Sequence, residues 1–395
     1  MLLRVAAFVS HPIQHFAPWH REVARRKQID LKVFFSCDWG SSEYVDPEFQ
    51  AKVEWDVPLL EGYEYEFLPI AKRPAKLSFW EIDNPTVGKA LDDFQPDIVQ
   101  VFGYAYRTNW RVARWAKRAG KPLLIYSDSN ARASSTLWKR IPKQVIVRDF
   151  YSKVDGALFV GDNNREYHRQ FGLPEERLFQ GVYPIDYERL LSQSPAQTVG
   201  LRSRLGIPES AFVVLFCGKY SARKRPMDLL VAAHAAAKRG VPVWCLFVGE
   251  GSERSALEQY CAREDFHQAI FTGFVNQSTI PEYYRASDVL AVTSSRDPHP
   301  LVVSEAAAFG LPAIVSDQIG CIGPNDTARP GLNALVYPCG HTEKLSEAIT
   351  RLFSERDTFQ QMSEAARSIA ETQNPRVAAQ ALAEAVEKLH VLGPR

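Results

Sequence analysis

The stretch Ser294-Ser-Arg-Asp-Pro-His-Pro-Leu-Val-Val-Ser-Glu-Ala-Ala-Ala-Phe-Gly-Leu-Pro312 holds two carboxylates, Asp297 and Glu305, with seven residues between them. It follows a nearly continuous apolar run over residues 288–293, which is typical of a strand buried on both faces of a parallel sheet. A Pro-rich turn comes next, and residues 301–309 predict a helix. We therefore expect Asp297 in a loop at the carboxyl end of a strand and Glu305 one turn into the helix.

Both carboxylates fall where open α/β sheets bind ligands, outside the carboxyl ends of parallel strands. The first amides of the predicted helix carry the positive end of its dipole and suit a phosphate. Glu305 is placed to accept hydrogen bonds from ribose hydroxyls, and Asp297 from the hydroxyls of a second sugar. The spacing thus indicates a sugar-nucleotide site. Taken alone, the two residues are equally expected as a turn former and a solvated helix residue.

A second pattern lies upstream, where the apolar run 213–217 is followed by Gly218, Lys219 and, five positions later, Lys224. Three further segments follow in order, at residues 247–251, 273–276 and 284–290. Together with the acidic pair, these segments resemble glycosyltransferase family 4, also called the group 1 glycosyltransferases, over most of residues 210–340. That family consists of retaining enzymes with the GT-B fold.

The resemblance implies an α/β chain of two Rossmann-like, doubly wound domains that face an interdomain cleft. Strand and helix patterns alternate in both halves of the sequence, and 395 residues exceed what one core normally serves. We expect an acceptor-binding domain over residues 1–190 and a nucleotide-sugar-binding domain over 191–372. A helix in 373–395 is expected to cross back to the first domain, and a linker is expected near residues 188–207.

The resemblance also suggests roles for individual residues. Lys219 and Lys224 would stabilise the charge of a leaving diphosphate, because fixed cations in a dry cleft do so better than water. Glu305 would bind the ribose and Asp297 the transferred sugar. Without the acidic pair, the lysines would be expected in a solvated basic turn. The further substrate-binding residues that the pattern implies are Gly218, Val275, His299, Leu301 and Val302.

Three positions depart from the family pattern. Pro300 stands where a backbone amide would approach the phosphates, and proline has none to donate. His11 and Gln14 follow the first predicted strand in place of a Gly-rich turn, and either is a candidate to contact donor phosphate or acceptor. Asp128 ends another strand where the family often has His, and it could act on the acceptor or stabilise positive charge on the sugar. The alternatives are a capping histidine and an Asx turn.

Composition limits the other classes of function. The 47 basic and 46 acidic side chains leave little net charge to attract nucleic acid. The sequence has no Asp-x-Asp triplet, Cys-x-x-Cys or His-Glu-x-x-His motif, so we expect no metal and no cofactor, with a nucleotide-diphosphate sugar as the donor substrate. The scattered cysteines indicate reduced thiols and a cytoplasmic protein. Residues 3–9 predict a buried strand rather than a signal peptide.

A stripe of basic residues on one predicted helix leaves open a weak peripheral contact with the inner face of a membrane. A solvated helix face with packed tryptophans is the alternative. The stripe consists of Arg107, Arg111, Arg114, Lys117 and Arg118, with Trp110 and Trp115 between them.

The sequence therefore predicts a metal-independent, retaining glycosyltransferase that moves a sugar from a nucleotide diphosphate to an acceptor hydroxyl. The acceptor would be a glycan, a lipid-linked sugar or a small molecule. Two alternatives are a GT-B-fold sugar-nucleotide epimerase, which needs no acceptor, and a non-catalytic subunit that binds nucleotide sugars.

Overall fold

The computed structural model describes residues 2–46, 51–70, 74–130, 137–192 and 200–395, without the side chains of residues 137–142. The strands are β1 Leu3–Val9, β2 Ile29–Phe35, β3 Tyr44–Asp46, β4 Ala51–Val53, β5 Glu64–Phe67, β6 Ile98–Phe102, β7 Leu123–Tyr126, β8 Gly156–Phe159, β9 Leu178–Gln180, β10 Phe212–Cys217, β11 Val243–Val248, β12 Ala269–Phe271, β13 Val289–Val292, β14 Ala313–Ser316 and β15 Ala334–Tyr337. The α-helices are α1 Ala17–Arg26, α2 Val87–Phe94, α3 Arg107–Ala119, α4 Leu137–Tyr151, α5 Asp162–Gln170, α6 Tyr187–Ser192, α7 Leu201–Arg204, α8 Pro226–Lys238, α9 Arg254–Glu264, α10 Ile280–Arg285, α11 Val302–Ala308, α12 Thr342–Ser354, α13 Arg356–Glu371 and α14 Pro375–Leu392.

The chain divides into two compact units. The first contains Met1–Ser42, Val57–Pro184 and Asn374–Arg395, and the second contains Glu43–Asp56 and Ile185–Gln373. The sequence-based boundaries differ from these by a few residues. The larger difference is Glu43–Asp56, which we expected in the first domain and which packs with the second unit instead. Its strands β3 and β4 pair with each other as an antiparallel hairpin, so they add no strand to either large sheet.

The first unit is built on a seven-stranded parallel sheet with the order β5-β2-β1-β6-β7-β8-β9. The apolar central strand β1 pairs with β2 on one side and β6 on the other, through Val5 with Leu31 and with Ile98. Val5 is fully buried because helices cover both faces of such a sheet. The strand order reverses between β1 and β6, so the loops that follow these two strands lie side by side at the switch point of the sheet. Residues that directly follow these strands are therefore placed to meet a ligand.

The second unit repeats this plan with a six-stranded parallel sheet in the order β12-β11-β10-β13-β14-β15. Strand β10 is central, and Val214 pairs with Cys245 of β11 and with Val289 of β13. All three side chains are fully buried. The order reverses between β10 and β13, so the loops that follow these two strands lie side by side at the switch point. They are the loops that carry the predicted phosphate-binding lysines and Asp297.

The predicted linker at residues 188–207 is partly helical. Helix α6 begins before it and packs against α11, and α7 lies near its end. Residues 193–199 lie outside the described part of the chain. Local packing of Leu190, which is fully buried, keeps α6 attached to the second unit.

Helix α14 belongs to the first unit, where it contacts α1, β8 and β9. The Asn374 side chain caps its start by accepting a hydrogen bond from the Val377 amide at 3.0 Å, and Pro375 occupies the first helical position. Its inward face includes Leu382 and Leu389, both almost fully buried. This face ties the last helix to the unit formed by the beginning of the sequence.

The basic stripe lies on α3. Its two tryptophans, Trp110 and Trp115, are buried against the sheet and do not face outward. Arg111 pairs with Asp83 through two contacts, which neutralises part of the stripe. Within the described ranges, no helix combines the length and the apolar character needed to span a bilayer.

A buried polar residue, Asn84, connects three segments of the first unit. Its side-chain amide donates to the carbonyl oxygens of Ser36, Leu68 and Pro69 at 3.0, 3.3 and 3.0 Å. The side-chain oxygen Oδ1 of Asn84 accepts from the Thr108 hydroxyl at 2.7 Å. These bonds replace water for groups that the fold removes from solvent.

We expect Asn84→Ala to lower the free energy of unfolding of the first unit by about 3 kcal/mol, because several buried polar groups lose their partner together. Urea unfolding followed by tryptophan fluorescence measures this. Lys89→Ala is the control, since its ion pair with Asp93 is exposed and is expected to contribute below about 0.5 kcal/mol. Equal losses in both variants would contradict the role of Asn84.

Candidate active site

The loop after β10 begins with a close approach of two backbones. The Gly218 amide donates to the carbonyl of Val248 at 2.9 Å, and Gly249 lies directly against Gly218. A Cβ on Gly249 would come within 1.9 Å of the Gly218 carbonyl oxygen. Glycine at this point therefore lets the loops after β10 and β11 meet, and it directs the next residues over the carboxyl edge of the sheet.

The same loop is held to the loop after β13. The buried Thr293 hydroxyl donates toward the carbonyl oxygens of Lys224 and Arg225, at 2.7 and 2.9 Å. The Ser295 amide donates to the carbonyl of Arg223 at 2.8 Å. These bonds fix the backbone of Lys224, so its side chain starts from a rigid position.

The predicted phosphate-binding Lys224 and the predicted sugar-binding Asp297 contact each other. The lysine ammonium donates to the Asp297 carboxylate, and the two side chains are only 20% and 9% exposed. The Asp297 carbonyl accepts from the Gly320 amide at 2.8 Å, which anchors the aspartate from behind. A cation and a carboxylate thus lie together, largely desolvated, at the switch point of the sheet.

Lys219 starts from the same loop but pairs with a residue from the hairpin. Its ammonium lies 3.1 Å from both carboxylate oxygens of Asp46 on β3. Asp46 is 9% exposed. Asp46 was not predicted from the sequence, because 173 residues separate it from Lys219 and nothing in its local pattern marks it.

Glu305 lies on the first turn of α11 and is half-buried. The hydroxyl of Tyr284, itself fully buried, donates to its carboxylate at 2.6 Å. Burial raises the pKa of Glu305, while the Tyr284 hydroxyl and the Arg189 guanidinium act in the opposite direction. Tyr284 and Arg189 were not predicted from the sequence, because each comes from a separate element.

Helix α11 is shorter than predicted, since it covers seven residues and starts after Leu301. The Val303 amide donates to the carbonyl oxygen of Pro300 at 3.1 Å, and the Glu305 amide donates to the carbonyl oxygen of Leu301 at 2.9 Å. Leu301 and Val302, predicted to supply amides to a phosphate, also pack their side chains against the core of the second unit.

His299 is buried, and burial lowers its pKa to about 4. Its ring is therefore neutral near pH 7 and adds no cation to the site. Val275, predicted near the base, is partly buried and packs against the same core as Leu301.

The first unit collects its predicted residues at the carboxyl edge of its own sheet. His11 follows β1, and its Nδ1 lies 2.8 Å from the Ser10 hydroxyl. Burial lowers the pKa of His11 to about 4, so the ring is a neutral donor or acceptor at pH 7. Asp128 follows β7 and is partly buried, and Gln14 lies partly buried in the turn after β1.

Tyr106, which follows β6, joins this edge. Burial raises its pKa, its hydrogen bond to Ser10 lowers it, and the charge of Asp128 is felt at its hydroxyl. The tyrosine thus contacts Ser10, which follows β1, and feels the charge of Asp128, which follows β7. It was not predicted from the sequence, because it lies four residues after the end of β6 and its partners come from other segments.

Comparison with known proteins relates this part of the chain to a protein family. Residues 200–369 match the model of the family described as glycosyl transferases group 1. These residues include the loops of Lys219, Lys224, Asp297 and Glu305. Over residues 200–369 the chain is therefore similar to the group 1 glycosyltransferases.

Individual similar proteins are also named as glycosyltransferases. An uncharacterized glycosyltransferase from Methanocaldococcus jannaschii is 26% identical over 47% of this chain and 47% of its own length. A GDP-mannose-dependent alpha-mannosyltransferase from Mycobacterium tuberculosis is 25% identical over 69% of this chain and 68% of its own. The chain spans about half the length of most of the curated relatives that it matches.

Among solved structures, Anabaena HepE in complex with UDP aligns with a TM-score of 0.73 at 18% identity. The alignment covers 98% of this chain and 100% of that one. Identity this low shows the fold alone. The predicted GT-B fold, with its two Rossmann-like sheets, is thereby confirmed.

Burial of the Glu305 carboxylate makes its ionisation unfavourable to the folded state, and this cost in stability can be measured. A pKa raised in the folded state means that the native protein ionises this group less readily than the unfolded chain does. Below the ordinary glutamate pKa, Glu305 is protonated in both the folded and the unfolded protein, and the cost in stability is absent. The cost grows as the pH rises from the ordinary pKa to the raised pKa of the folded state.

We therefore expect Glu305→Gln to gain thermal stability relative to the parent at pH 7 and to gain less at pH 4. Calorimetry at the two pH values tests this. Glu347→Gln, at an exposed pair with Lys344, is the control and should change the free energy of unfolding by less than about 0.5 kcal/mol at either pH. If the gain of Glu305→Gln over the parent is smaller at pH 7 than at pH 4, ionised Glu305 does not destabilise the folded protein and the prediction is wrong.

Proposed function

We propose that the protein is a retaining glycosyltransferase that transfers a sugar from a nucleotide-diphosphate donor to an acceptor hydroxyl. The observation that supports this most is the contact between Lys224 and Asp297 at the switch point of the second unit. A desolvated cation there can stabilise a leaving diphosphate, and the adjacent carboxylate can bind sugar hydroxyls.

The nature of the donor is proposed from chemistry and from similar proteins. Glu305, held by Tyr284, offers a carboxylate of defined orientation to ribose hydroxyls. The mycobacterial relative is named for its dependence on GDP-mannose, and Anabaena HepE was solved with UDP. These names support a nucleoside diphosphate sugar and leave the base and the sugar to be identified.

The proposed reaction exchanges one bond at the anomeric carbon for another on the same face. The bond from this carbon to the diphosphate oxygen breaks, and a bond to the acceptor oxygen forms. The proton of the acceptor hydroxyl passes to the departing phosphate oxygen, so atoms and charge balance without a strong protein base. The Lys224 ammonium stabilises the charge on the diphosphate, which assigns to a protein cation the work that a metal does in other enzymes.

The acceptor is proposed to bind at the first unit. Its carboxyl edge offers neutral polar groups on His11 and Tyr106 together with the Asp128 carboxylate. Such groups suit the hydroxyls of a glycan, a lipid-linked sugar or a small molecule. Asp128 could orient the reacting hydroxyl or stabilise positive charge on the sugar.

A panel of UDP-, GDP-, ADP- and dTDP-sugars in a thermal-shift assay identifies the donor. Ligand at about 100 times its dissociation constant should add about 2.7 kcal/mol of stability. The donor that stabilises is then incubated with candidate acceptors and EDTA, and nuclear magnetic resonance reads the anomeric configuration of the product. A transferred sugar with retained configuration supports the proposal, whereas an isomerised sugar without acceptor indicates the epimerase.

We expect Lys224→Ala to lower kcat about a hundredfold, which corresponds to about 3 kcal/mol of lost transition-state stabilisation. Steady-state kinetics with the identified donor measures it. Lys344→Ala is the matched control, because it removes an exposed lysine of the same unit at an ion pair with Glu347. Unchanged turnover in the Lys224→Ala enzyme would remove this lysine from the mechanism.

A further inference from the structure

The hairpin segment, residues 43–56, reaches the predicted donor site at two places. Asp46 pairs with Lys219 after β10. At the other end, Asp56 accepts from the Ser278 amide at 3.1 Å, and the rings of Trp55 and Phe274 lie 6.1 Å apart, edge to face. Phe274 and Ser278 flank Val275, which is predicted near the base. The segment thus extends from the diphosphate end of the site to the base end.

Asp46 is held in place by the hairpin. It ends β3, pairs in register with Ala51 of β4, and is 9% exposed. Val53, which pairs with Tyr44 across the hairpin, is fully buried and anchors β4. Both Asp46 oxygens lie at the same 3.1 Å from the Lys219 nitrogen, so the carboxylate presents two oxygens to the ammonium in the way that a phosphate would.

We propose that Asp46 competes with the diphosphate of the donor for Lys219 and thereby sets how tightly the donor binds. This inference rests on the proposed function, since it gives that donor site an internal anionic competitor. The diphosphate exchanges places with the carboxylate at the ammonium, and no covalent bond changes.

The physical reason is the repulsion between like charges in a poorly solvated place. The negative charge of Asp46 repels a phosphate that approaches Lys219. Before a donor binds, the Asp46 carboxylate keeps the part-buried Lys219 ammonium paired, which avoids the cost of a desolvated lone charge. Donor binding therefore gains the contact to Lys219 only at the expense of the contact that Asp46 already makes.

Asp46→Asn tests this, because the amide keeps the shape and one oxygen but loses the charge. We expect the dissociation constant of the nucleoside diphosphate that the parent binds, among UDP, GDP, ADP and dTDP, to fall about tenfold in titration calorimetry on the full chain. The corresponding nucleoside lacks phosphates, and its binding should stay unchanged. Glu43→Gln is the matched control, because it removes one negative charge from the same hairpin at an exposed pair with Lys52.

A double-mutant cycle locates the effect at the lysine. In the Lys219→Ala background, Asp46→Asn should no longer tighten binding of this nucleoside diphosphate, because the two single changes act on the same contact. Persistence of the full gain in that background would overturn competition at Lys219. Asp46→Ser, which also removes the charge, should reproduce the gain if the asparagine variant unfolds at the assay temperature.

The outcomes separate this inference from the proposed function. If the parent protein binds one of the four nucleoside diphosphates and Asp46→Asn binds it equally or more weakly, the competition is overturned and the donor site stays in place. Equal gains in Glu43→Gln and Asp46→Asn would assign the effect to general surface charge and overturn it as well. A parent that binds none of UDP, GDP, ADP and dTDP and none of their sugars overturns the proposed function itself.

Discussion

The reversal of strand order between β10 and β13 is the constraint on which the second unit depends. Since both strands are parallel and adjacent, the loops at their carboxyl ends must lie next to each other. The hydroxyl of Thr293 and the amide of Ser295 then fix the Lys224 loop against the Asp297 loop. Two segments about 70 residues apart in sequence become one rigid surface. The ion pair of Lys224 and Asp297 is a consequence of that arrangement.

The partly buried charged side chains of the candidate site have partners. Lys224 pairs with Asp297, Lys219 pairs with Asp46, and the Tyr284 hydroxyl donates to the Glu305 carboxylate. Partly buried ions need such partners, because an isolated charge in a poorly solvated site is costly. The same pairing means that an anionic ligand enters a site whose cations already have carboxylate partners. For the proposed donor, we therefore expect affinity to depend on the exchange of partners more than on the number of lysines.

The first unit uses different chemistry at the equivalent edge of its sheet. His11 is kept neutral by burial, and Ser10 and Tyr106 add hydroxyl groups beside it. Neutral donors and acceptors suit hydroxyl-rich ligands, whereas the lysines of the second unit suit phosphates. The two sheets share a topology, and the residues directly after their central strands give each edge its own chemistry.

The sequence by itself determined the α/β class, the strands β1, β10 and β13, and the loop positions of Lys219, Lys224 and Asp297, while its resemblance to the group 1 glycosyltransferases implied the GT-B fold. Apolar runs of strand length and the residues that end them are local features, so they can be read without coordinates. The tertiary structure decided that residues 43–56 belong to the second unit and that α11 is short. It also supplied Asp46, Tyr284 and Tyr106, whose partners are brought close by pairing between distant segments, a property that no local pattern encodes.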